Sequence, residues 1–171
     1  MAGRGDMVRA EQYLSAAMER GYPEDRVVPQ LIRVCVASSR ISAALSYAEP
    51  YLAAHPTQWR LRYLVATLHL GLRRIPEAVA DLEAVIGQRP EDPTAHYTLG
   101  IILRDHIGDG HGAREHFSRY LELAPEGAHA EEARSAAIAP IEHVVSEAPA
   151  QGPGQAASAN PASAASEGSA P

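Results

Sequence analysis

Alanine returns along this chain at a nearly fixed interval. Ala10, Ala44 and Ala78 are separated by steps of 34 residues, and Ala113 follows after 35. The same steps link Leu14, Ala48, Leu82 and Phe117, then Ala17, Tyr51, Val85 and Tyr120, and also Tyr22, Pro56, Pro90 and Pro125. Between them Leu31, Val65 and Leu99 align, as do Ile32, Ala66 and Gly100. Several independent columns on one period mark an internal repeat. A unit this short cannot bury its apolar face alone, so it must stack on its neighbours.

Each unit reads as two helices. The first carries apolar pairs such as Leu31-Ile32, and the second carries the pattern A-x-x-x-(L/A/F)-x-x-(A/Y/V). Residues three and four apart share a helical face, so both helices are amphipathic. Small residues at Ala44, Ala78 and Ala113 let the paired helices approach closely. The prolines at 56, 90 and 125 close each second helix, because proline lacks a backbone donor and restricts the residue before it. Pro29 predicts a first helix of unit one that starts near Val28, with the proline in its first turn. Pro50 falls inside the second helix and predicts a bend near Ser46 to Pro50.

The period and pattern resemble the tetratricopeptide repeat family, whose hallmark is a 34-residue helix-turn-helix. The segment DPTAHYTLGIILRDHIGDGHGAREHFSRYLELAP carries the resemblance best, through Leu99-Gly100, Gly108, Ala113, Phe117 and Pro125. It departs from the pattern by one inserted residue between Leu103 and Gly108. The family's tryptophan column is Val28, Arg62 and His96 here, and its first-helix aromatic column is Cys35, His69 and Leu103. The resemblance implies an all-α fold, a right-handed superhelical array of antiparallel helix pairs. The expected organisation is a half-repeat helix over 5–22 and repeats over 23–56, 57–90 and 91–125. A closing helix over 126–145, ending before Pro140, and a disordered tail over 146–171 follow.

The tail rests on composition alone. From Ser146 onward the chain has no aromatic or branched apolar residue, too little to offset the entropy of ordering. Composition also removes function classes. A net charge of -6 argues against a phosphate-attracting nucleic-acid binder. No lysine occurs and all 15 basic residues are arginine, which excludes a phosphate-loop or Schiff-base lysine. The alanine-rich, lysine-free composition suggests a GC-rich bacterial genome. The single cysteine, Cys35, reads as a small buried hydrophobe. No apolar run approaches the ~20 residues of a membrane span, and no signal peptide is visible. The expected localisation is cytoplasmic for the chain as written, or the cell envelope if an upstream segment with a leader precedes Met1.

A metal site is the competing chemistry to weigh. His106, His111 and His116 are spaced by five residues, which on one helix places neighbours about 140° apart. Zinc ligands on a helix favour a spacing of four. His106 is expected to close a first helix, His111 to ride the turn around Gly108 to Gly112, and His116 to sit on the second helix beside Phe117, all as solvated side chains. His69 is expected to be partly buried between helices, and Glu131-Glu132 to be a solvated face. No catalytic signature, metal site or cofactor requirement emerges, so the chain is read as a non-enzyme.

The family resemblance implies a concave groove lined by the first helices, holding an extended peptide or a partner's helix. Carried over, the groove column is Arg26, Arg33, Val36, Arg60, Tyr63, Thr67, Leu70, Thr94, Tyr97, Ile101, Arg104 and Asp105. The binding set is Arg33, Arg60, Tyr63, Thr67, Tyr97, Ile101 and Arg104. It is basic and tyrosine-bearing within an acidic chain, which favours an acidic or tyrosine-accepting protein partner. Relatives that clamp a chaperone's carboxylate use lysine and asparagine; this chain has no lysine, and its sole asparagine is Asn160 in the tail. The alternative is a structural repeat module of a larger or self-associating assembly, such as one of the cell envelope, stacking through its exposed ends. Arg4-Gly5-Asp6, a tripeptide of some adhesion ligands, aligns with Gly108-Asp109 and is read as an interhelix turn opening half a repeat.

Overall fold

Periodicity at 3.6 residues demands helices, and a computed structural model describes residues 3–138 as helices joined by short turns. These are α1 (Gly3–Glu19), α2 (Glu24–Ala37), α3 (Ile41–Ala54), α4 (Trp59–Gly71), α5 (Ile75–Gln88), α6 (Pro93–Ile102), α7 (Gly110–Leu123) and α8 (Ala130–Ile138), with a π-helical turn at Leu103–Ile107. No helix among the described residues is long and apolar enough to cross a membrane. The expected tail and the last part of the expected closing helix lie outside the described residues.

Each helix packs on its neighbours in the chain, pairing α2 with α3, α4 with α5 and α6 with α7, while α1 lies on α2 and α8 on α7. The repeated columns are the core. Ala44, Ala78 and Ala113, then Ala48, Leu82 and Phe117, then Leu31, Val65 and Leu99 are all buried. Gly100 leaves room for the Phe117 ring, which a Cβ there would meet at a tight 3.0 Å. The first copies of these columns, Ala10, Leu14 and Ala17 on α1, remain half-buried.

The turns repeat as faithfully as the core. Left-handed backbone occurs at Ser39, Arg73 and Gly108, again in steps of 34 and 35. After α2 and α4 the chain closes identically, with Arg40 N–H on Cys35 C=O at 2.8 Å and Arg74 N–H on His69 C=O at 2.9 Å. This is the Schellman closure, which satisfies orphan carbonyls at a helix end. After α6 the equivalent bond is Asp109 N–H to Leu103 C=O at 2.9 Å, one residue wider. The inserted residue of unit three is therefore absorbed as the π-helical turn. Asp109 then caps α7, accepting from His111 and Gly112 N–H, just as Asp92 caps α6.

Several local expectations are corrected. Helix α2 begins at Glu24 rather than near Val28, so Pro29 lies in its second turn. The Pro23 carbonyl accepts from Arg26 and Val27, Glu24 and Asp25 complement the positive helix end, and Pro29 forfeits only one early bond. As expected, Pro50 falls inside helix α3, which continues past it to buried Tyr51 and Leu52. Gly5 and Asp6 lie within helix α1 and form no turn. His111 likewise sits in the first turn of α7, drawn in by the Asp109 cap.

Candidate functional site

The groove positions lie on α2, α4 and α6, and the structure treats them unequally. Arg33 on α2 and Arg60 on α4 are exposed, and neither forms an ion pair among the described residues. The Arg60 guanidinium lies 4.7 Å from the Trp59 ring centroid, and Arg89 lies 5.1 Å from the same ring. Such stacking holds a cation without neutralising it. Tyr63 is half-buried and its hydroxyl meets Thr98 Oγ1 on α6 at 3.0 Å, tying adjacent units together. Thr67 donates to the Leu64 carbonyl within its own helix at 2.7 Å. Ile101 packs into the core shared by α6, α7 and α8. Val36 and Leu70 also serve the core, whereas Arg26 and Thr94 are exposed.

At unit three the expected groove positions are engaged by the chain's own residues. Tyr97 donates to Glu132 Oε2 on α8 at 2.5 Å. Arg104, on the π-helical turn, donates to Asp105 Oδ1 at 2.6 Å and Glu132 Oε1 at 3.3 Å. The Tyr97 ring stacks on His129 at 4.1 Å between centroids, and the Arg104 guanidinium sits 5.4 Å from the Phe117 ring. Burial and the Glu132 carboxylate push the Tyr97 phenol up to about 12. Hydrogen bonds from Arg104 hold Asp105 below the usual carboxylate range, and those from Tyr97 and then Arg104 do the same for Glu132. The Arg104 guanidinium is itself held more firmly protonated, chiefly by Asp105. Glu132 is thus no merely solvated residue: its side chain remains 48% exposed but bridges two groove positions. Of the seven expected binding residues, the structure gathers Tyr97, Ile101 and Arg104 around α8 and leaves Arg33 and Arg60 without a carboxylate partner among the described residues.

Two polar clusters escaped the sequence reading. His96 is buried and its Nδ1 lies 3.0 Å from His116 Nδ1, while its Nε2 meets the Pro90 carbonyl at 3.1 Å. His116 is half-buried rather than solvated, and desolvation and then His96 lower its pKa. His69 is more deeply buried than expected, between Glu49 and Asp81, with Arg62 donating to Asp81 at 2.9 Å. The signal for both was the period itself. Arg62 and His96 share one column, and Asp81 and His116 another at the 35-residue step. Among the described residues no group of three or more metal-ligating side chains is placed to hold an ion. Burial raises the Cys35 thiol pKa, as suits a core residue.

Residues 66–128 match the model of the tetratricopeptide repeat family. Over that segment the chain is similar to tetratricopeptide repeats. It is similar to a tetratricopeptide repeat protein from Parabacteroides merdae, with TM-score 0.71 and 22% identity over 78% of this chain. The match spans 53% of that protein, about half its length. It also resembles YrrB, described as having an unusual peptide-binding site, with TM-score 0.66 and 18% identity over 77% of this chain and 67% of that one. A third neighbour is the first tetratricopeptide repeat region of Spaghetti (RPAP3) bound to the HSP90 peptide SRMEEVD, with TM-score 0.58, 18% identity, and coverage of 64% and 87%. No curated protein sequence matches the chain.

Proposed function

We propose that this chain is a non-enzymatic adaptor whose groove, lined by the first helices of its repeats, binds an acidic segment of a protein partner. One observation carries this reading. The chain's own Glu132 carboxylate settles on Tyr97 and Arg104, while Arg33 and Arg60 on the preceding units carry no carboxylate among the described residues. A surface that takes one carboxylate internally offers the same chemistry further along. Arginine suits this role because its planar fork matches a carboxylate bidentately. Peptide binding by YrrB and by the Spaghetti repeat region supports the mode of recognition, not the identity of the partner. The lysine-and-asparagine clamp of chaperone-tail binders is absent, so recognition rests on arginine and tyrosine.

Affinity capture with the full chain and with an Arg33→Ala/Arg60→Ala variant tests the proposal. Both residues are exposed, so the variant keeps its fold. A partner whose acidic segment is retained by the native chain and lost by the variant is the expected result. Equal retention by both overturns the groove assignment.

A further inference from the structure

The two end helices of the array present different faces. Helix α8 repeats the first helix of a unit: Tyr97 meets Glu132 35 residues on, just as Tyr63 meets Thr98 35 residues on. The column of Ile32, Ala66 and Gly100 packs against second helices in the earlier units. In α8 that column holds Arg134. Its guanidinium bonds the Pro125 carbonyl and pairs with Glu126 and Glu131. A polar face of this kind suits a terminal repeat exposed to water.

Helix α1 repeats the second helix of a unit, and the corresponding face is apolar. Its columns Ala10, Leu14 and Ala17 match Ala44, Ala48 and Tyr51, which are buried. With α2 packed on one side, the α1 copies stay half-buried. Tyr13 beside them is 75% exposed. Its column holds Asp81 and His116 in later units, where they meet the first helix of their own unit at Arg62 and His96. Positions 10, 13, 14 and 17 share one helical face, so α1 offers an apolar stripe where other second helices receive a first helix. Both ends of the stripe are charged. Asp6 lies seven residues before Tyr13 and Arg20 seven after, along one line of the helix surface, and both are exposed.

We propose that this stripe docks on the same stripe of a second copy of the chain, the two α1 helices running antiparallel about a two-fold axis. Ala10 then faces the second copy's Ala17, Tyr13 faces its Leu14, and Asp6 comes beside its Arg20. Small residues towards each end of the seam let the helices approach, as they do inside a unit. A parallel pair would set Asp6 on Asp6 and Arg20 on Arg20, so charge selects the antiparallel arrangement. The second copy's α8 is the poorer occupant, because an apolar stripe laid on it would desolvate Arg134 and its carboxylates. A two-fold seam uses up the stripe, so assembly stops at two copies. One helix from each copy makes a small interface, so monomer and dimer exchange. On the groove reading proposed above, the dimer presents two grooves, and a partner with repeated acidic segments gains avidity from both.

Sedimentation velocity on the full chain, from micromolar to about millimolar concentration, tests the seam. A monomer–dimer equilibrium is expected. Asp6→Arg and Arg20→Asp should each weaken dimerisation about tenfold, and an equimolar mixture of the two variants should recover it as a heterodimer. Tyr13→Glu should abolish it, with circular dichroism showing native helix content in all three variants. Arg33→Ala/Arg60→Ala should dimerise as the native chain does, so the seam and the groove fail or succeed separately. Growth past two copies, or weakening by Ile138→Ser at the 80% exposed Ile138 of α8, overturns the two-fold seam in favour of end-to-end stacking. A dimer that Tyr13→Glu leaves intact overturns the stripe as the docking surface. A mixture that associates no better than its components overturns the antiparallel register. A monomer throughout the range overturns the second copy as the occupant.

Discussion

The same two columns of the repeat hold a different pair in units two and three. In unit two they hold Arg62 and Asp81, ion-paired at 2.9 Å; in unit three they hold His96 and His116, 3.0 Å apart. Both pairs join the first helix of a unit to the second at equivalent places. The ion pair joins opposite charges, whereas the histidine pair is tolerated only while one ring can donate to the other. A similar contrast marks the groove side. Tyr63 bonds neutral Thr98, and Tyr97, in the next unit's matching position, bonds the Glu132 carboxylate. The repeat fixes where a polar contact falls, and the residues in each copy fix its charge.

The strongest way to break unit three is Phe117→Ala. That ring is fully buried against Gly100 and lies beneath Tyr97 and Arg104, so the loss should be about 3–5 kcal/mol in chemical denaturation. Asp81→Ala should cost about 2–3 kcal/mol, because it strands the largely buried Arg62 guanidinium. The double variant Arg62→Leu/Asp81→Leu should recover much of that loss, and failure to recover would mean the pair matters for more than its own desolvation.

Acid should separate the two units further. The His116 pKa is lowered in the folded state by burial and by His96, against the pull of Glu115, Glu83 and Asp109. A group with a depressed folded pKa contributes stability above its unfolded value of about 6.5 and loses it as pH falls through the folded value. Thermal denaturation should therefore show a stability decline below about pH 6.5 that His116→Gln flattens.

On the groove side, Tyr97→Phe should cost about 1 kcal/mol and Tyr63→Phe about half that, read by the same denaturation curves. Folded Tyr97 ionises only near 12, so its contribution is present below the ordinary tyrosine value of about 10 and lost as pH rises through 12. Ultraviolet titration should show that late step, and Glu132→Gln should bring it down. The smallest effects belong to the turns. Ser39→Gly and Arg73→Gly relieve left-handed backbone at residues with a Cβ, and each should gain up to about 1 kcal/mol.

Periodicity made the helix pairs legible because a unit's apolar columns have to face the same way in every copy. Leu31, Val65 and Leu99 could thus be placed in the core from spacing alone, and so could Ala44, Ala78 and Ala113. The extra residue before Gly108 was equally visible. Its accommodation as a π-helical turn carrying Arg104 was not, since a longer loop would have met the same spacing. The groove column was readable as positions, but not as positions engaged at one end by the chain's own residues. Glu132 lies 28 residues from Arg104 and 35 from Tyr97, and no local pattern announces that α8 folds back to meet them. His69 shows the same limit: its carboxylates come from α3 and α5, about twenty residues before it and about twelve after.

The sequence by itself determined the repeat, its register, the buried columns and the absence of lysine chemistry, because these depend on short-range periodicity and residue type. Tertiary structure alone decided which charges were spent internally. Ion pairs and hydrogen bonds depend on a few ångströms between side chains distant in the chain, and packing sets that distance.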